Sequence, residues 1–185
     1  RQVLEALHAL APERCRIYTP DVSNAEAMQA MAADWMGRRG TPDLVIANAG
    51  VAAFGPLAHV DPNAWRRCIE VNVFGVFNTV RAALPALMQQ QGYVLINASV
   101  SSFAHPPVMS AYAASKSAVE AMGNAWRIEL AAHRVGVGVL HAAFAVKAVA
   151  AVPARGEHRD QGDQPCHEQR GDRCRGVGGR QQREQ

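Results

Sequence analysis

The hydrophobic pattern alternates between short β-branched runs and longer stretches with helical spacing. Residues 43–47, 93–97 and 135–140 predict strands, and residues 15–19 predict a weaker one. These runs are almost continuously apolar, which is typical of strands buried on both faces of a parallel sheet. The alternation of strands with helices predicts an α/β fold.

A first helix is predicted from the sequence Ser23 to Glu26, which has the form of an N-terminal capping box. We expect this helix to run toward Arg38. Gly40 and Pro42 supply the residues that end it.

Two further helices follow from apolar residues spaced three and four apart. One begins at Asp61 and Pro62, an N-cap followed by a first-turn proline. Pro85 is predicted to bend or interrupt it. The other runs over residues 112–133. The apolar stripes are Trp65, Ile69, Val73, Phe77 and Val80 on the first, and Val119, Met122, Trp126 and Leu130 on the second.

The composition changes near Pro153. Residues 1–152 predict one α/β domain, and residues 153–185 predict a disordered tail, because residues 155–185 contain a single aliphatic residue, Val177. The tail holds His158, Cys166, His167 and Cys174. Their spacing matches no structural zinc pattern, so no metal site is predicted.

The overall composition, 49% hydrophobic and 19% charged, is that of a soluble globular protein. A net charge of +3 is too small to indicate nucleic-acid or membrane binding. The four cysteines are scattered and no signal peptide is recognised, so we expect a cytoplasmic protein without disulfides.

Tyr112 and Lys116 form a Y-x-x-x-K pair at the start of a predicted helix. Residues four apart share one helical face. A nearby ammonium favours the phenolate, so the pair is suited to proton exchange with an alcohol or carbonyl. The alternative is an ordinary tyrosine and lysine at a helix start.

Two polar positions lie where a ligand would bind a parallel sheet, and a third lies inside a helix. Ser99 and the run Asn48-Ala49-Gly50 each follow a predicted strand, at the carboxyl end where open sheets bind ligands. Either could instead be a simple turn. Asn72 lies inside a predicted helix, so it is either structural or part of a proton path.

The ordered set Asp21-Val22, Asn48-Ala49-Gly50, Asn72, Ser99, Tyr112 and Lys116 resembles the motifs of the short-chain dehydrogenases/reductases over roughly residues 1–141. The resemblance implies a Rossmann-like, doubly wound parallel sheet. It also implies hydride transfer between NAD or NADP and a small-molecule alcohol or carbonyl substrate.

The resemblance also implies residue roles. Tyr112 would be the general acid/base, and Lys116 would lower its pKa and hold the nicotinamide ribose. Ser99 would position the substrate oxygen, and Asn72 would support a water-linked proton relay. Asp21 and Val22 would contact the adenine, and Asn48, Ala49 and Gly50 the adenosine side of the cofactor. The loop at residues 105–110 would line a partly apolar substrate pocket.

The sequence departs from the family pattern in two places. No glycine-rich turn precedes residue 15, so we expect the first two strands to be missing, the strand at 43–47 to become an exposed edge, and cofactor binding to be poor. After His141, Ala142 and Ala143 replace the usual Pro-Gly. The alternative hypothesis is therefore a non-catalytic fragment.

A third hypothesis is a homo-oligomer formed through the helices that carry Asn72 and Tyr112. Phe74, Phe77, Trp126 and Leu130 would supply its apolar contacts. The interpretation favoured from the sequence is that these four residues belong to the core.

Overall fold

The computed structural model describes Ala9 and residues 15–143. The chain divides into two units, Arg1–Val146 and Lys147–Gln185. The second unit, which contains the predicted tail, lies outside the described residues. The proposed domain boundary at residue 152 therefore stays a prediction.

The described residues contain one parallel sheet of three strands in the order β1-β2-β3: β1 (Leu44–Ala47), β2 (Tyr93–Asn97) and β3 (Gly136–Leu140). β2 is central and pairs with both neighbours. Its Val94 and Ile96 are fully buried. On β1, Leu44 and Ile46 are about half exposed, at 51% and 53%. The expected exposed edge is confirmed, and burial on both faces is wrong for β1.

The strand predicted at residues 15–19 does not form. Side-chain contacts hold this segment against the helix that follows it in the chain. The Tyr18 hydroxyl donates to the Asp34 carboxylate at 2.7 Å, and the Arg16 guanidinium lies 5.4 Å from the centre of the Tyr18 ring. Short β-branched runs predict strands only when a partner strand is available, and the pattern alone does not show this.

Helix α1 (Ala25–Arg39) begins one residue later than the predicted capping box. The Asn24 side chain accepts from the Ala27 backbone N–H at 2.9 Å and is the N-cap. Ser23 instead donates its hydroxyl to Asp21. Gly40, with φ of 80°, ends the helix as predicted.

Helices α2 (Pro62–Ile69) and α3 (Gly75–Gln90) are joined by a π-helical turn, Glu70–Phe74. Asp61 caps α2 as predicted. Pro85 lies within α3 without interrupting it, because the helix runs on to Gln90.

The π turn changes the phase of the buried stripe predicted on this helix. A π turn holds more residues per turn than an α-helix, so a pattern extended at 3.6 residues per turn loses register there. Trp65 and Phe77 are 37% and 38% exposed, whereas Cys68 and Leu87 are fully buried. The predicted stripe is therefore wrong at Trp65 and Phe77.

Helix α4 (Ser110–Glu129) continues into a short 3₁₀ turn, Leu130–His133, and covers the span predicted at 112–133. Val119 and Leu130 are buried as predicted. Together with α3, α4 packs on the sheet to form the main core. The core members of α3, α4 and the strands include Val80, Leu87, Val94, Ile96, Val119 and Val137.

The continuous helical stretch Pro62–Gln90 is long and apolar enough, by length and composition alone, to cross a membrane. Half of its most apolar part is buried inside the structure, and core helices of soluble proteins have the same length and composition. Its exposed apolar residues include Phe74, at 57%, and Phe77. Assignment of both residues to the core is therefore wrong.

Candidate active site

Ser99 and Tyr112 meet at the carboxyl end of β2. Ser99 follows the strand and caps the 3₁₀ turn Val100–Ser102, and Tyr112 lies in the first turn of α4. Both are buried, at 1% and 6% exposure. The Ser99 hydroxyl forms a hydrogen bond with the Tyr112 phenol. The Ser99 hydroxyl and the Tyr112 phenol therefore lie together below the surface, as their spacing in the sequence predicted.

Burial raises the pKa of Tyr112 above its ordinary value of 10.0. The hydrogen bond from Ser99 acts in the opposite direction, and nearby Cys68 raises the pKa further. The predicted net lowering by Lys116 is not found. Desolvation of the phenolate is the largest influence on the phenol, so the neutral form is favoured.

Lys116 lies one helical turn after Tyr112 and is 5% exposed. Its ammonium nitrogen donates to the Asn97 carbonyl at 2.6 Å and lies 5.6 Å from the centre of the Tyr112 ring. Burial lowers the pKa of Lys116, because an ammonium loses hydration there. The side chain thus joins the end of β2 to the face of the phenol.

The loop after β1 approaches the same place. A Cβ placed on Gly50 would lie 3.4 Å from Asn72 Oδ1 and 3.8 Å from Lys116 Nζ. Asn48 and Ala49 are exposed beside it. Asn48 Oδ1 accepts from Asn97 Nδ2 at 2.8 Å, which links the ends of β1 and β2.

The Asn72 side chain, in the π turn, holds the loop after β1 through hydrogen bonds to Val51. Its Oδ1 accepts from the Val51 backbone N–H and its Nδ2 donates to the Val51 carbonyl, both at 2.8 Å. Nδ2 also donates to Ser115 Oγ at 2.9 Å. Asn72 is 1% exposed, so these bonds supply the partners that a buried amide needs. π turns occur frequently at functional sites.

Ser115 is a site residue that the sequence did not reveal. It is fully buried, accepts from Asn72 and donates its hydroxyl to the Tyr112 carbonyl at 2.7 Å. Ser115 thereby connects the loop held by Asn72 to the turn that carries Tyr112. Its place directly before Lys116 was the available signal, but a serine in a helix is ordinarily exposed.

Asp21 and Val22 are held by other elements. The Asp21 carboxylate accepts from the backbone N–H and hydroxyl of Ser23 and forms an ion pair with Arg67 at 2.8 Å. Val22 packs against Gly75, where an added Cβ would lie 2.6 Å from Val22 Cγ2. The other predicted site residues gather around Gly50, Ser99 and Tyr112.

The donors and acceptors at this edge suit a polyhydroxylated ligand. Asn97 Oδ1 is buried and has no hydrogen-bond partner among the described residues. The Lys116 ammonium has three N–H groups, and it donates to the backbone carbonyl of the same asparagine, Asn97. Gly50 leaves space beside Lys116. A ribose offers hydroxyl groups that match both a free acceptor and a free donor.

The family model described as short chain dehydrogenase matches residues 1–152, which is most of the chain. The chain belongs to the short-chain dehydrogenase family. A relative, the (-)-trans-carveol dehydrogenase of Rhodococcus erythropolis, is 33% identical over 124 residues, covering 65% of this chain and 45% of that protein. The chain thus spans about half the length of the curated relatives it matches.

Solved structures of this short-chain dehydrogenase family share the fold. An NAD⁺-bound xylitol dehydrogenase has a TM-score of 0.73 and 28% identity, covering 78% of this chain and 57% of that one. An alcohol dehydrogenase from Thermococcus sibiricus, complexed with 5-hydroxy-NADP, has a TM-score of 0.71 and 27% identity, covering 77% of this chain and 60% of that one. The predicted α/β, Rossmann-like fold is confirmed.

Proposed function

We propose that this protein is an NAD(P)-dependent oxidoreductase acting on an alcohol or carbonyl compound. The observation that carries the proposal is the convergence of Ser99, Tyr112 and Lys116, all nearly buried, at the carboxyl end of β2. Crevices at this end of an open sheet are where ligands bind. The nicotinamide would supply the hydride donor or acceptor.

Tyr112 would exchange the proton with the substrate oxygen. Its hydroxyl already shares a hydrogen bond with Ser99, so a substrate oxygen entering beside them would meet two hydroxyl groups. Ser99 would orient that oxygen, and Tyr112 would donate or accept its proton. A neutral phenol, which burial favours, is the form needed to donate a proton to a carbonyl during reduction.

Lys116 and Asn97 would hold the ribose next to the nicotinamide, through the ammonium group and the unpartnered Oδ1. Asn48, Ala49 and Gly50 would lie against the adenosine side. Asp21 and Val22 keep the adenine role assigned to them by the resemblance. The choice between NAD and NADP is left open by relatives that carry either one.

Asn72 would act as a positioning residue. Its side chain is occupied by Val51 and Ser115, so any contribution to a water-linked relay would come through the backbone of the π turn. The amide side chain fixes the loop after β1 against α4. That contact would keep Gly50 and Tyr112 at a constant separation during the reaction.

The substrate would be a small, partly apolar alcohol or ketone. One relative acts on (-)-trans-carveol by its name. In this chain, Phe54, Phe103 and Val108 are 62%, 57% and 48% exposed. The backbone N–H of Gly55 donates to the Val108 carbonyl at 2.9 Å, which joins two of the loops that carry these residues.

Turnover of the substitution Tyr112→Phe tests the proposal. We expect oxidation of a cyclic secondary alcohol, followed by NAD(P)H absorbance, to fall by about 10²–10⁴-fold, the ordinary contribution of a general acid/base. The melting temperature should change little. Turnover equal to that of the unsubstituted protein would remove Tyr112 from the mechanism.

Cofactor binding separates the enzyme from the non-catalytic alternative. Thermal unfolding of the 185-residue chain is measured with and without millimolar NADH or NADPH. A higher melting temperature with one of them means that the native chain binds it and identifies the cofactor. A temperature unchanged by both favours the alternative, in which the site residues are present without cofactor binding.

A second proposed function is self-association through α3 and α4. Phe74 on the π turn is 57% exposed and Ile128 on α4 is 81% exposed. On α3, Phe77 is 38% exposed, and its ring centre lies 6.5 Å from that of Trp126 on α4, which is partly buried. Exposed apolar side chains that lie together are typical of interaction surfaces.

A further inference from the structure

The loop after β1, residues 48–52, is held through its backbone. These residues are exposed, including Val51 at 42%. The Val51 N–H donates to Asn72 Oδ1 and the Val51 carbonyl accepts from Asn72 Nδ2, both at 2.8 Å. Because burial of apolar side chains contributes little to this loop, its position depends on the Asn72 amide.

Ser115 gives the Asn72 amide a further hydrogen bond. An amide NH₂ group has two protons, and Asn72 donates one to the Val51 carbonyl and the other to Ser115 Oγ at 2.9 Å. The single Ser115 hydroxyl proton goes to the Tyr112 carbonyl at 2.7 Å, so Ser115 Oγ accepts from Asn72 with a lone pair. Asn72 and Ser115 are 1% and 0% exposed, so water has little access to either side chain.

Cys68 is the other polar neighbour of this amide. Its Sγ lies 3.4 Å from Asn72 Nδ2 and 3.9 Å from Ser115 Oγ, and the thiol donates to the Val51 carbonyl at 3.4 Å. A thiol sulfur is a weak acceptor, whereas a hydroxyl oxygen is an ordinary one. Without the Ser115 hydroxyl, the second Nδ2 proton would have only this thiol as a partner among the described residues.

The loop and α4 differ in how firmly they are held. α4 is a helix of 20 residues, and its backbone hydrogen bonds remain when the Ser115 hydroxyl is removed. The loop at residues 48–52 has no regular secondary structure. A Cβ on Gly50 would lie 3.4 Å from Asn72 Oδ1, so Gly50 packs directly against the amide. A displaced amide therefore shifts the loop at Gly50 and leaves the turn that carries Tyr112 in place.

We propose that Ser115 is a positioning residue for cofactor binding: its hydroxyl orients the Asn72 amide, which holds the loop that carries Gly50 against α4. The inference rests on the proposed contact of this loop with the cofactor. It assigns a task in binding to a buried hydroxyl, whereas proton transfer belongs to Ser99 and Tyr112. Removal of the hydroxyl is expected to weaken cofactor binding without slowing the chemical step.

The test compares Ser115→Ala with Cys68→Ala. Both side chains are fully buried beside Asn72, and each substitution removes one heavy atom, but only Ser115→Ala removes the stronger acceptor. Amide hydrogen exchange of Val51, followed by NMR, should become about tenfold faster in Ser115→Ala, as expected for one lost hydrogen bond. In Cys68→Ala it should change by less than about twofold, because a bond to a thiol is weak. If Ser115→Ala does not fold, Ser115→Cys, which retains only a weak acceptor, takes its place with the same direction of change expected.

Cofactor binding gives a second readout on the same variants. In oxidation of a cyclic secondary alcohol, the KM for the nicotinamide cofactor should rise about tenfold in Ser115→Ala, whereas kcat should stay unchanged, because the lost interaction serves binding alone. The phenol pKa of Tyr112, followed by NMR of ¹³C-labelled tyrosine, should also stay unchanged, since the bond from Ser99 remains. A purely structural role would lower kcat together with the melting temperature and would not separate KM from kcat.

The outcomes separate this inference from the proposed function. Val51 exchange that is no faster in Ser115→Ala than in Cys68→Ala, or a loss confined to kcat, overturns the role of Ser115. If neither NADH nor NADPH raises the melting temperature of the unsubstituted chain, cofactor binding fails instead, and Val51 exchange still decides whether Ser115 holds the loop.

Discussion

Val108 has a backbone conformation that its side chain disfavours. Its φ is 61°, in the left-handed region, and valine is β-branched. Gln91 and Arg134 also have positive φ, but they follow helix ends, where this conformation is common. Val108 lies in the loop before α4, and its carbonyl accepts from Gly55. Strain is therefore stored in the loop next to Tyr112.

We predict that Val108→Asn raises the stability of the protein. Asparagine tolerates the left-handed region, and the strain removed is of order 1–2 kcal/mol. The bond from Gly55 uses the backbone and remains. Denaturant unfolding measures the change, with Leu57→Asn, 90% exposed, as the control for adding a polar side chain. A lower unfolding midpoint than that of the control would contradict stored strain.

We predict that Asp21 titrates unusually low. The Ser23 backbone N–H, the Ser23 hydroxyl and then Arg67 lower its pKa from 3.8 to about 2. A carboxylate with a depressed pKa stabilises the fold above its ordinary pKa, and the stabilisation is lost as the pH falls from 3.8 toward 2. Carboxyl NMR measures the value directly.

Arg67→Met should raise the pKa of Asp21, though not fully to 3.8, because the bonds from Ser23 remain. Arg66→Met, on the same exposed helix surface, is the matched control. An Asp21 pKa near 3.8 in the unsubstituted protein would contradict the observed geometry.

Residue spacing along the chain predicted the site only where a strand end or a helix turn fixes position. Ser99 and Tyr112 meet because the carboxyl end of β2 and the start of α4 face one crevice. Ser115 and Asn97 were missed, because their roles depend on contacts between elements. The direction of the Tyr112 pKa shift was also missed, since burial cannot be judged from spacing.

At the scale of whole elements, periodicity located all three strands of the observed sheet to within a few residues, and the three predicted helices correspond to α1, to α2 with α3, and to α4. The false strand at 15–19 and the wrong stripe on α2 and α3 have different causes. The first lacked a pairing partner. The stripe was predicted on the assumption of an uninterrupted α-helical period, and no local residue pattern predicts the π turn that breaks this period.

We predict that the exposed face of the π turn and α3 mediates self-association. Phe74→Glu combined with Phe77→Glu places two charges on this face, so association measured by sedimentation velocity should weaken by at least about tenfold per unpaired buried charge. Leu57→Glu adds a charge to an exposed loop and is the control. A monomer in all variants, including the unsubstituted chain, would show that these aromatic side chains serve another purpose.

At the scale of the whole molecule, β1 is an edge of the sheet with apolar residues on its surface. We predict that Ile46→Lys reduces aggregation of the 185-residue chain, because a charge on an edge strand opposes pairing with other chains. Light scattering during incubation measures the effect. Ile128→Lys, at 81% exposed on a helix, is the control. Equal protection by both would point to net charge rather than the edge.

The register of the sheet has a consequence for the order of folding. Leu44 pairs with Tyr93, and Tyr93 pairs with Gly136, so every ladder joins positions separated by a complete helical crossover. Loop closure of this length must precede any gain from strand pairing, which slows formation of parallel sheets. During synthesis β1 leaves the ribosome well before its partner β2 exists. The continuous helical stretch Pro62–Gln90 between them therefore has time to form first, and the crevice around Ser99 is assembled only after it docks.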